Sequence, residues 1–198
     1  MKEFGSSNEA IRKILEIPLK PTYPSHVPKS VSQLAHQFQV EQTSGSNLHQ
    51  LCQHITMFFQ KSLFLEGVAS KAGVSFFVDC GGKKCVSLKT WTAEVFIHAG
   101  QNAYFGERLL DISPDLPQVL MKLDDLSWQI FYNYPWFLRP ELNRLSSRLR
   151  SSLEEYFRLP SNQRTSCAWF VQALEKEYLR LGLDTKDIAA QMLLVYWG

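Results

Sequence analysis

The stretch from Asp184 to Gly198, Asp-Thr-Lys-Asp-Ile-Ala-Ala-Gln-Met-Leu-Leu-Val-Tyr-Trp-Gly, constrains the fold more than any other. Asp184 suits a helix N-cap, and Asp187 places a carboxylate in the first turn, where free N–H groups and the positive end of the helix dipole favour it. From Ile188 to Trp197 only Gln191 is polar. A helix with no face for water must be enclosed on all sides. No Lys/Arg-then-Gly signal closes its last turn, so the pattern predicts a helix cut midway whose cover lies in chain beyond it. On that expectation several large apolar side chains are left uncovered, and deleting Ala189 to Gly198 improves solubility.

The remainder reads as one globular unit, residues 1–198, because a chain that is 45% hydrophobic and 13% aromatic can bury a sizeable core. Lys and Arg number 21 against 19 Asp and Glu, a net charge of +2, which provides no field to steer nucleic acid or an anionic membrane. Arg139, Arg144, Arg148 and Arg150 form a modest basic cluster read as a solvated helix face. There is no secretory signal and no unbroken apolar span of about 20 residues, so the chain is expected to carry no membrane anchor and to be intracellular, in the cytoplasm, with reduced thiols. Cys80-Gly-Gly-Lys-Lys-Cys85 lacks the two further ligands a zinc site needs, and no metal is assigned.

Along the chain, Ser6-Ser7-Asn8-Glu9 has the form of a capping box before a short helix that Pro18 ends. Pro18, Pro21, Pro24 and Pro28 predict an extended crossing loop over 17–30. Leu48, Leu51, Cys52, Ile55, Phe58 and Phe59 mark a long core helix from Asn47, and residues 74–79 with 85–88 read as a β ribbon turning at Gly81-Gly82. Ser87 caps a helix whose inner face is Leu88, Trp91, Val95, Phe96, Ala99 and Ala103, ending at Gly106. Ser113-Pro114 opens the next, with a stripe from Val119 to Ile130. Leu142 to Phe157 form another up to Pro160, and Ala168 to Leu181 one more, closed by Gly182. The class is mainly α, with one β ribbon.

Chemical signatures are absent from these helices. No Gly-rich phosphate loop, His-Glu-x-x-His or Gly-x-Ser-x-Gly occurs. His49 and His54 fall on different helix faces, His26, His36 and His98 are isolated, and neither Asp124-Asp125 nor Glu154-Glu155 makes a paired acid/base site. The aromatic loop from Trp128 to Phe137 suits core packing first and a ligand cleft second, since Trp and Tyr combine apolar area with a polar handle.

Taken in order, the chain resembles the middle of a fungal cytochrome P450, the haem-thiolate monooxygenase family. The resemblance is carried by Phe4-Gly5-Ser6 with Pro18, by Ser44-Gly45-Ser46-Asn47-Leu48, and by Val86-Ser87-Leu88-x-x-Trp91 leading to Asn102-Ala103-Tyr104-Phe105-Gly106. It continues through Pro114-Asp115-Leu116, Tyr134-Pro135-Trp136, Leu145-Ser146-x-Arg148, Glu155-Tyr156-Phe157 and Gly182-Leu183. It implies a partial cytochrome P450 fold, one incomplete domain running to the first half of the family's long central helix. It also implies substrate-pocket residues at Trp128, Tyr132, Tyr134, Trp136, Tyr196 and Trp197.

The family's cofactor is haem, held by a Cys in a Phe-x-x-Gly-x-x-x-Cys-x-Gly loop, and neither Cys80 nor Cys85 stands in that context. The Glu-x-x-Arg pair, the oxygen-activation Thr and the surface for a redox partner would all fall after Gly198. Met1 begins inside the family's pattern, past the anchor that holds full-length relatives at the endoplasmic reticulum. Without an axial thiolate such a protein cannot cleave O–O bonds. The expectation is therefore a truncated, inactive relative of the monooxygenases of fungal secondary-metabolite and mycotoxin pathways. It would carry no haem and would self-associate non-specifically. The alternatives are a fragment of an active enzyme whose haem half is missing from the gene model, and a small all-helical binding module.

Overall fold

The computed structural model describes residues 5–19, 28–62, 77–79, 81 and 84–197, and helices take up most of them. The order is α1 (Asn8–Glu16), β1 (Pro18–Leu19), β2 (Lys29–Ser30), α2 (Val31–Gln42), α3 (Gly45–Ser62), β3 (Phe77–Asp79), β4 (Lys84–Val86), α4 (Leu88–Phe105), α5 (Glu107–Ile112), α6 (Leu116–Leu126), α7 (Trp128–Phe131), α8 (Pro140–Arg158), α9 (Trp169–Arg180) and α10 (Thr185–Trp197). The mainly α class and the ribbon are as expected, β3 pairing antiparallel with β4 through Phe77 opposite Val86. Cys80, Gly82 and residues 74–76 of the expected ribbon lie outside the described residues, as do Phe4, Pro21, Tyr23, Pro24 and His26.

The last helix is where the structure departs furthest from expectation. Asp184 caps it as predicted, its Oδ1 accepting from the Asp187 N–H at 2.8 Å. Yet the first part of its apolar surface is covered by this chain: Ile188, Ala189, Ala190, Gln191, Met192 and Leu193 are buried, Leu194 to Trp197 are half-buried, and α10 packs most extensively along α8. The expected uncovered helix is thus corrected. The all-round apolar pattern did predict enclosure, but the enclosing wall is α8, whose stripe Leu142, Leu145, Leu149, Leu153 and Tyr156 is itself buried. The amino-terminal segment completes the cover. Asp187 accepts from both the backbone N–H and the hydroxyl of Ser7, at 2.9 and 3.0 Å, and the Gln191 amide donates to Ser6 Oγ at 2.6 Å inside the protein.

Local chemistry accounts for the other differences. Ser7, not Ser6, caps α1 by accepting from the Ala10 N–H, while Glu9 pairs with Lys13 one turn on. Within the expected loop over 17–30, β1 and β2 form a short antiparallel ribbon. The α2 helix was not predicted, although Ser30 and Gln33 cap each other reciprocally at its start. Among the described residues of α3 only Leu51 is buried, with Cys52 and Met57 exposed, so this helix lies at the edge of the core and not in its centre. On α4 the buried face is Ala99, Gln101, Ala103 and Phe105, whereas Leu88 and Phe96 are exposed. Pro117, and not Pro114, occupies the first turn of α6, and the stripe toward Ile130 breaks at Ser127.

Buried polar contacts knit the helices together. Tyr156 Oη donates to the Phe105 carbonyl at 2.8 Å, and Ser113 and Ser152 share a hydrogen bond of 2.8 Å. Arg164 grips Glu175 through both guanidinium nitrogens, at 2.9 and 2.6 Å, with its guanidinium 5.2 Å from the ring centres of Tyr156 and Phe157. The α9 helix has no capping side chain of its own at Ala168; Gln42 of α2 supplies one, accepting from the Phe170 N–H at 2.9 Å. The basic cluster divides: Arg148 pairs with Asp115 at the surface, whereas Arg139 is buried at the start of α8.

Candidate functional site

A partly open cavity of about 740 Å³ lies between α2, α4 and α10, with Leu120 of α6 and Phe170 of α9 contributing to its wall. α4 presents Gly100 there. A Cβ at Gly100 would meet nothing within 4 Å, so the missing side chain leaves room between the helices. The walls are mostly apolar, formed by Ala35, Phe96, Ile97, Phe105, Leu194 and Val195, with Tyr104, Tyr196 and Trp197 adding aromatic area. Polar groups are few. His36, Gln39 and Gln42 stand on the α2 side, and Gln101 faces Tyr196 across the α4–α10 seam. Tyr196 Oη donates to Gln101 Oε1 at 2.7 Å, and burial pushes its phenol pKa well above the ordinary value. An apolar enclosure with a few convergent polar groups is the usual form of a small-molecule site.

The six residues expected to line a substrate pocket separate into two groups. Tyr196 and Trp197 line the cavity, their helix being carried to its edge by the packing of α10 on α8. Trp128, Tyr132, Tyr134 and Trp136 do not line it. They form an exposed cluster in which Trp128 meets Tyr134 edge-on at 5.7 Å, Tyr132 is 79% exposed and Trp136 is 71% exposed. The favoured core-packing role for this loop is corrected as well, because the break at Ser127 and the left-handed Asn133 (φ 52°) turn the loop out toward solvent. It meets the cavity's rim where Phe131 lies against Trp197, with ring centres 6.0 Å apart. Gln101, Gly100, Tyr104, His36 and Phe170 line the cavity and were missed. The run Gly100-Gln101-Asn102 inside an otherwise apolar helix was the available signal.

Neither of the two thiols among the described residues, Cys52 and Cys167, fits a haem ligand. Cys52 is exposed and Cys167 buried, and neither lines the cavity. Burial pushes the Cys167 thiol up to about 11, the opposite of what a metal-ligating thiolate requires. Its Sγ leans on the Ala168 carbonyl at 3.8 Å, with Tyr156, Arg164 and Glu175 as neighbours. Among the described residues no group of three or more His, Cys, Asp or Glu side chains could hold a metal ion, and no helix is long and apolar enough to cross a membrane. Comparison with known protein families, curated proteins and solved structures yields no match.

Proposed function

We propose that these residues form the ligand-holding portion of a cytochrome P450-type monooxygenase, enclosing an apolar small molecule and carrying out no oxygen activation on their own. One observation carries the reading. Two stretches that bear the sequence resemblance, Val86 to Gly106 and Gly182 to Trp197, lie far apart in the chain, yet they form adjoining walls of one apolar cavity. The role assigned is positional: α4 and α10 hold the ligand, and Tyr196 and Trp197 form the aromatic side of its bed. None of the residues lining the cavity is placed as an acid, base or nucleophile. Relatives of this type in fungi serve secondary-metabolite and mycotoxin pathways, and that is the context proposed here. The enclosure of α10 by α8 favours a second reading, a self-standing helical module that binds an apolar ligand.

Titration with pyrene tests the shared core of both readings, through energy transfer from tryptophan to the bound probe. Saturable binding is expected, and Gly100→Phe, whose Cβ would meet nothing within 4 Å and whose ring would take up cavity space, should abolish it. Non-saturable uptake, or binding unaffected by Gly100→Phe, would sink the assignment of this cavity. The reduced carbon-monoxide difference spectrum with added haem separates off the chemical claim. No thiolate-type Soret band is expected, and its appearance would overturn the statement that these residues activate no oxygen.

A further inference from the structure

The polar groups of the cavity differ in how far they are already used. Gln42 is fully employed, its Oε1 accepting from the Phe170 N–H and its Nε2 donating to the Asn47 carbonyl at 3.1 Å. Gln101 is half employed. Its Oε1 accepts from Tyr196 Oη, while its Nε2 is buried without any hydrogen-bond partner, on a side chain only 3% exposed. Native interiors rarely leave an amide N–H in that state without a reason. Gln101 lines the cavity together with the preceding Gly100, where a Cβ would meet nothing within 4 Å.

We infer that Gln101 is the hydrogen-bonding anchor of the cavity and that the ligand is an apolar molecule bearing a neutral oxygen acceptor, a ketone or ether. This rests on the reading that the cavity holds an apolar ligand. The acceptor oxygen takes the Gln101 Nε2–H while the hydrocarbon body lies against Phe96, Ile97, Leu194 and Val195. Tyr196 occupies the amide's oxygen, so the amide presents its donor to the ligand. A ligand carboxylate is disfavoured, because among the described residues no Lys or Arg lines the cavity to balance its charge.

The test compares two probes of one shape, acetylpyrene and isopropylpyrene, titrated into the full chain. The ketone should bind about tenfold more tightly, the worth of one buried hydrogen bond that also relieves an unpaired donor. In Gln101→Met the ratio should fall to about one, with isopropylpyrene affinity retained; in Tyr196→Phe the ketone preference should persist. Equal, saturable binding of both probes to the wild type would overturn this inference and leave the cavity reading intact, whereas binding of neither would remove both. A folded Gln101→Met that keeps the preference, or a Tyr196→Phe that loses it, would show that Gln101 is not the donor. If Gln101→Met fails to fold, the wild-type ratio and the Tyr196→Phe ratio still decide.

Discussion

Gly100 and Gly106 stand six residues apart, one inside α4 and one at its end, and they should respond to alanine in opposite directions. At Gly100 the backbone is helical and a Cβ meets open space, so Gly100→Ala should stabilise the protein by about 0.5–1 kcal/mol by removing glycine's entropic cost in a helix. Gly106 adopts φ 72° and ψ −174°, a region essentially closed to other residues. A Cβ there would also lie 2.0 Å from Ser166 Oγ and 3.3 Å from that residue's backbone carbon. Gly106→Ala should cost on the order of 1–3 kcal/mol for the backbone alone. Urea unfolding of both variants checks the pair, and a neutral Gly106→Ala would show that the turn into α5 is not held in this geometry. The sequence marked Gly106 as the stop of a helix but not this extended ψ, which depends on Ser166 approaching from a distant part of the chain.

At the scale of elements, legibility tracks how local the determining physics is. The starts of α4 and α10 were legible because Ser87 and Asp184 bond N–H groups within their own first turns. The loop from Trp128 to Leu138 was not, because aromatic residues signal burial by composition, while a break at Ser127 decides where they point. The α10 helix divides the same way: its need for cover was written in its residues, but the identity of the cover was not. That distinction reverses the expected effect of deletion. Ile188, Met192 and Leu193 are at most 2% exposed, and truncating one such side chain to alanine typically costs 2–5 kcal/mol, against a total stability of about 5–15 kcal/mol. Deleting Ala189 to Gly198 should therefore abolish cooperative unfolding, and Met192→Ala alone should lower stability by about 2–5 kcal/mol. Retention of a sharp thermal transition after the deletion would show that α10 is not part of the core.

For the molecule as a whole, the candidate site was legible only at Tyr196 and Trp197, because a cavity is a relation between helices and its decisive feature here, the space beside Gly100, is a missing side chain. The same interior sets a prediction for the whole fold. Besides the buried Arg139, Arg164 and Glu177, it holds several phenols and a thiol that are neutral near pH 7. Desolvation raises the pKa of Tyr104, Tyr156, Tyr178 and Tyr196, and it lifts that of Cys167 from 9.0 to about 11. A folded-state value above the unfolded one means the unfolded chain loses its proton first, so stability is fully present below pH 9 and is lost as pH rises toward 11. Cys167 alone accounts for a loss on the order of 2–3 kcal/mol across that window, and the phenols extend the decline to higher pH. Tyr156 lies at the centre of this set, bonded to the Phe105 carbonyl and stacked by Arg164, so its ionisation breaks the contact between α8 and α4. Chemical-denaturation midpoints should be flat up to pH 9 and then fall. Cys167→Ala, whatever it costs at neutral pH, should make the fall between pH 9 and 11 shallower by about the thiol's share. A midpoint that stays level to pH 11, or a slope unchanged in Cys167→Ala, would mean that these groups already reach water in the folded protein.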